Sequence, residues 1–351
     1  MYKKFFMGIA AMAALTLVSC SSDDLNSLSD NSSKHEAISF DGYLGRSAVS
    51  VNGTRGSVLE IADLKNSKDG FGVFGNYNST GGQKFVANLF INQQVTYSSE
   101  DKKWTYSPLK YWPTQGHIDF LAYAPYVKNT LLTDSKINFT VEQNVADQKD
   151  LLWANAKNQT KTDNPVKFTF NHALSKIGYT VKLKEAYSNA TITLNKITLA
   201  GSADEATKAF YKTGTIDLSK TSSDGLWTNQ SSNDKQNFNW FSETQPATTI
   251  TSASTPNPDT KYLFVIPQDF SKTEENADKL YVIVDYTIKY TKFNEGEAKE
   301  MKSTVTSPIV MNFLQGKAYM INLTIGLTPI DFDADVTTWE NGATIPDITW
   351  K

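Results

Sequence analysis

The chain has a single cysteine in 351 residues, Cys20. One thiol excludes an intrachain disulfide framework and any cluster of thiolate ligands. Arginine is nearly as scarce, with Arg46 and Arg55 the only two. The three histidines, His35, His117 and His172, are far apart, and none has a second histidine or an acidic partner at zinc-ligand spacing. A formal charge of −3 leaves no positive excess for nucleic acid or an anionic membrane surface. Beyond the first twenty residues no run is apolar and long enough to span a bilayer. No catalytic residue, metal site or cofactor is therefore expected.

What is present points to β structure. The chain is 40% apolar, 12% aromatic and 20% charged, a globular balance, and its length suggests two domains. Tyr, Phe, Thr, Val and Ile recur in short runs separated by Asn, Ser, Gly and Asp clusters, which favours strands over helices.

The first residues read as an export signal. Lys3 and Lys4 precede an apolar core, Phe5 to Val18, too short for a comfortable transmembrane helix. Leu17-Val18-Ser19-Cys20 matches the lipobox of bacterial lipoproteins, so Cys20 is the expected lipid attachment point and residues 1–19 the signal peptide; an ordinary secretory signal containing a cysteine is the plainer alternative. Acyl chains on Cys20 would bind a membrane through buried methylenes. Residues 20–36 are polar and predict a disordered tether. Asp23 and Asp24 there fit a sorting signal or simply a solvated linker.

Order is expected from Ala37-Ile38-Ser39-Phe40 onward. The following Asp41 to Gly56 is rich in Gly, Ser and Asn and holds both arginines, a pattern that fits an accessible cleavage loop for an arginine-specific protease. Gly70-Phe71-Gly72-Val73-Phe74-Gly75 lacks the Gly-Lys-Ser/Thr of a phosphate loop and reads as a strand with close backbone approach. Ile118 to Pro125 is apolar on both alternate faces, as in a central strand. The polar stretch Asn155 to Pro165 suggests a domain boundary, dividing residues 37–164 from 165–351. Ser202 with Glu205 predicts a capped short helix through Phe210, and Gly225 to Pro258 an irregular loop or hairpin. Trp104, Tyr106, Tyr111 and Trp112 fit a core better than a sugar platform.

Near the C-terminus, Tyr319, Ile321, Leu323, Ile325 and Leu327 fall on every second residue. Beyond Pro329, Ile330, Phe332, Ala334 and Val336 alternate with Asp331, Asp333 and Asp335. Two successive half-buried strands are predicted, the aspartates forming a solvated face and not a calcium loop, since neither its glycine nor its closing glutamate follows.

Together these residues resemble a known family. The lipobox, Lys110-Tyr111-Trp112-Pro113, Phe120 to Pro125, Asp150-Leu151-Leu152, Phe170 to Ile177, Ile266-Pro267-Gln268 and the closing Val336 to Trp339 look like the fimbrillin family of lipoprotein pilus subunits. The resemblance implies an all-β chain of two transthyretin-like Greek-key β-sandwich domains in tandem. It also implies a lipid anchor on Cys20 in the outer membrane and cleavage by a maturation protease at Arg46 or Arg55, Arg46 being favoured because it closely follows the first strand. Ile38 to Leu44 would be discarded, and a donor strand from Tyr319 to Val336 would fill the vacated groove of another fimbrial subunit. Host or bacterial glycans or proteins are the further partners implied. The contrasting expectation is a monomeric surface lipoprotein that binds glycans and keeps its lipid.

Overall fold

The computed structural model describes residues 36–44, 61–78, 84–228, 234–242, 248–252, 255–256, 262–293, 297–326 and 331–338. Among the described residues the fold is all-β, with one short helix at Ile61–Asn66 and a 3-10 turn at Val145–Asp147. No helix among the described residues is long and apolar enough to cross a membrane.

A seven-stranded sheet takes up the first half. Its strands are β1 (Phe40–Leu44), β2 (Phe71–Asn78), β3 (Phe90–Ser98), β4 (Lys103–Thr105), β5 (His117–Ala124), β7 (Leu152–Gln159) and β8 (Val166–His172), in the order β1-β8-β7-β5-β2-β3-β4. Every neighbouring pair is antiparallel except β1 with β8. The centre, β2 and β5, is buried on both faces, as its unbroken apolar runs require. The glycines of β2 make room for rings. A Cβ on Gly75 would stand 2.7 Å from the Phe90 ring, and one on Gly72 would overlap Tyr123. Close approach, not phosphate binding, explains the glycine run.

β6 (Lys136–Thr140) leaves this sheet to pair with Thr213–Asp217. Trp227–Thr228 completes a three-stranded sheet with these two, Phe210–Tyr211 pairs with Lys235–Gln236 and Gln268–Asp269 with Asn312–Phe313, and the other described strands form two five-stranded sheets. One contains β10 (Ala190–Ala200) between Phe238–Ser242 and the long hairpin Tyr281–Phe293/Glu297–Pro308. The other contains β9 (Ser175–Leu183), Leu263–Val265, Lys317–Ile325 and Asp331–Thr338. Apolar side chains gather in two clusters, one among the strands of the first sheet and a larger one that joins the later sheets to Phe74, Leu121, Tyr123 and Trp153 of the first.

Three expectations meet a different arrangement. The polar stretch at 155–165 joins β7 to β8 inside the first sheet, because Leu152 and Trp153 pair with His172 and Asn171. The chain changes sheets at Ala173–Leu174 instead. Ser202 caps no helix: its hydroxyl donates to Asp204 and accepts from the Thr207 amide at 2.9 Å, and Glu205 takes φ +61°. Serine and aspartate hydroxyl and carboxylate groups so placed hold a turn in preference to a helix. Within 225–258 the described residues include the strand Phe238–Ser242, whose Trp240 packs edge-on against Tyr179 at 4.8 Å.

Candidate functional site

The site is built around β1, a five-residue strand at the margin of its sheet. Ile38 and Phe40 are buried. The Phe40 ring lies 5.4 Å from Phe90, 5.4 Å from Phe120, 5.5 Å from Tyr106 and 5.6 Å from Phe168. Such edge and offset contacts are worth about 0.5–1.5 kcal/mol each beyond area burial. Two positions further on, Gly42 passes beneath Phe170, whose ring carbon would stand 3.3 Å from any Cβ placed there. The inward residues of the segment, Ile38, Phe40, Gly42 and Leu44, thus plug an aromatic slot formed by β2, β3, β5 and β8.

Main-chain bonds fix the segment on two sides. The Ile38 amide donates to Lys110 O at 2.8 Å, and the Trp112 amide to Glu36 O at 3.0 Å. The Val166 amide donates to Ser39 O at 2.8 Å and opens the parallel register with β8, in which Phe40, Gly42 and Leu44 stand opposite Val166, Phe168 and Phe170. The Tyr106 hydroxyl donates to Ile38 O at 2.6 Å, and burial raises its pKa above the ordinary phenol value. Trp104 and Trp112 are buried beside the slot, whereas Tyr111 is exposed, so the four aromatics form no open platform.

The C-terminal strands divide into an inner and a marginal one. Lys317–Ile325 lies between β9 and Asp331–Thr338, with Tyr319, Ile321, Leu323 and Ile325 buried in the chain's own core. The Tyr319 hydroxyl accepts from the Leu314 amide at 2.6 Å and donates to Asn312 O at 2.8 Å. Among the described residues Asp331–Thr338 has one strand neighbour, and Val336 there is 56% exposed. Phe332, Ala334 and Val336 stand opposite Leu323, Ile321 and Tyr319; Asp331, Asp333 and Asp335 stand opposite Thr324, Asn322 and Met320. Cys20, Arg46, Arg55, Leu327 and Ile330 lie outside the described residues. His172, whose setting in an apolar-polar run reads as a satisfied structural histidine, pairs with buried Asp150 at the point where the chain changes sheets. Sequence reasoning missed Phe90, Phe168 and Phe170 as slot residues: each reads as ordinary strand core, and only folding brings them together.

A fimbrillin-like family model matches residues 57–339, beginning downstream of β1 and of both arginines. No curated protein sequence matches the chain. Among solved structures, a fimbrial protein from Bacteroides vulgatus is 22% identical, with a TM-score of 0.60 over 86% of this chain and 99% of that one. A fimbrial assembly protein from Parabacteroides distasonis is 12% identical with a TM-score of 0.37, covering 87% of this chain and 99% of its own. The tip fimbrial protein Mfa3 from Porphyromonas gingivalis, with a C-terminal truncation, is 10% identical with a TM-score of 0.38, covering 77% and 93%. At these identities the first likeness speaks for the fold alone, and the family match covers most of the chain: this protein belongs to the fimbrillin-like family.

Proposed function

We propose that this chain is a structural or adhesive subunit of a cell-surface fimbria, exported as a lipoprotein on Cys20 and matured by cleavage at Arg46 or Arg55. Cleavage releases Glu36–Leu44 from its slot, and a strand from another copy takes its place. The observation that carries this reading is β1 itself: a short marginal strand, seated in an aromatic slot and followed by a segment that contains the chain's only arginines. Loss of Ile38, Phe40 and Leu44 would expose apolar surface worth roughly 1.5–3 kcal/mol per side chain. An open edge beside such a slot is a template for another strand.

The donor is Asp331–Thr338 and not the whole of Tyr319 to Val336. Withdrawing Lys317–Ile325 would strip four buried side chains from the donor's own core, whereas the marginal strand leaves at the cost of one ladder. Head-to-tail contacts of this kind need not close, so a filament results. In this reading the chain forms two transthyretin-like sandwiches, the second beginning where the chain changes sheets at Ala173–Leu174.

The test is an Arg46→Ala/Arg55→Ala chain expressed at the cell surface. Export should persist, fibres should be lost, and the native protein should begin at Ser47 or Gly56. Fibres of normal length from the double variant would overturn maturation at arginine.

A further inference from the structure

The marginal C-terminal strand, taken with the residue before it, resembles the first strand in sequence. Ile38-Ser39-Phe40-Asp41-Gly42-Tyr43-Leu44 and Ile330-Asp331-Phe332-Asp333-Ala334-Asp335-Val336 share isoleucine, phenylalanine and the following aspartate at matching places. The two remaining inward positions differ only in size, Gly42 against Ala334 and Leu44 against Val336. We infer that Asp331–Thr338 of one copy enters the β1 slot of another in a single register and direction, with Phe332 in the place of Phe40 and Ala334 in the place of Gly42. The inference rests on the proposed strand exchange and adds the residues that decide which segment fits.

Two features of the slot select this register. The Gly42 position has room for little more than a methyl group, since a Cβ already meets Phe170 at 3.3 Å and Phe71 at 3.7 Å. The Phe40 position is ringed by four aromatics and is underfilled by anything smaller than a ring. Shifting the donor by two residues puts Phe332 or Val336 where Gly42 stood, which overpacks the slot. Reversing it about Ala334 puts Val336 where Phe40 stood and Thr338 where Ile38 stood, leaving a cavity and a hydroxyl among aromatics. Only the same-direction register satisfies both positions. It also sets Asp333 opposite Lys167, as Asp41 is now.

Paired cysteines in the full chain test this. In the inferred register Asp335 of one copy stands beside Thr169 of the next, because Tyr43 pairs with Thr169. Adjacent strands lie about 4.8 Å apart, within disulfide reach. Asp331 would lie four residues away along the strand, about 13 Å from Thr169. Thr169 is exposed. Fibres recovered from a Thr169→Cys/Asp335→Cys chain should run as a covalent ladder on a non-reducing gel, and those from Thr169→Cys/Asp331→Cys as separate subunits. A ladder from the second pair, or intact fibres with a ladder from neither, overturns the register. Deleting residues 331–338 separates the two claims. Fibres that persist without this strand overturn strand exchange itself, whereas fibres lost on deletion but linked through the second pair overturn the register alone.

Discussion

Nδ1 of His172 lies 2.7 Å from a carboxylate oxygen of Asp150, and both side chains are buried where the chain passes from the seven-stranded sheet into β9. The pair closes a junction that main-chain bonds also hold, from the Ala173 amide to Leu151 O at 2.8 Å and from the Gly316 amide to Leu174 O at 2.9 Å. Removing one member of a buried pair strands the other. Asp150→Ala is expected to destabilise the protein by about 3 kcal/mol, read as a lower denaturant midpoint with unchanged slope.

Phe40 and Phe332 should behave oppositely in the subunit and in the fibre. Phe40→Ala opens a cavity in the untrimmed protein and should cost about 3–5 kcal/mol. It should leave assembled fibres as heat-resistant as the native ones, since the residue has been discarded. Phe332→Ala should spare the Phe40 slot in the untrimmed chain and lower the temperature at which fibres dissociate. Thermal melts of the subunit and dissociation assays of the fibre check the two halves.

Ala334 is the place where size should matter most. Ala334→Gly should assemble, while Ala334→Phe should be exported and stay unassembled, counted as fibres by electron microscopy. Assembly of the phenylalanine variant at native levels would mean that the Gly42 position is not where Ala334 goes.

Alkaline pH should loosen the first strand. Burial raises the phenol pKa of Tyr106, as it does for Tyr123 and Tyr319, so folding favours the neutral form. The associated stability is fully present below the unfolded phenol value of 10.0 and is lost as pH climbs through the higher folded value. Tyr106→Phe should weaken the attachment of β1, because the bond to Ile38 O goes. It should also flatten the decline in stability above pH 10.0, measured by unfolding across that range.

Gly72→Ala should lower the melting temperature by a cost of about 1–3 kcal/mol, because the added methyl overlaps the Tyr123 ring at the middle of the sheet.

The strands were legible wherever alternation met a single buried face. Tyr319 to Ile325 follows that rule, and Phe71 to Asn78 could be told from a phosphate loop by what its glycines lacked. Which of the two C-terminal strands lies at a margin was not legible, since alternation reports a buried face and says nothing of how many neighbours a strand has. Polarity misled at 155–165, because a hairpin turn and a domain linker draw on the same residues. Ser202 with Glu205 carries a capping signal, but Asp204 between them competes for the same hydroxyl. The slot stayed hidden because Phe90, Phe120 and Phe168 are separated by long stretches of sequence and meet only after β5 and β8 join one sheet.

The seat that β1 occupies in its own sheet also bears on fibre length. Under the proposed strand exchange, a copy that retained its first strand would have no vacancy to offer but could still lend its last one. Such a copy would stand only at one end of a filament and act there as a terminator. The ratio of uncut to cut molecules would then set how far filaments extend, with no separate measuring device.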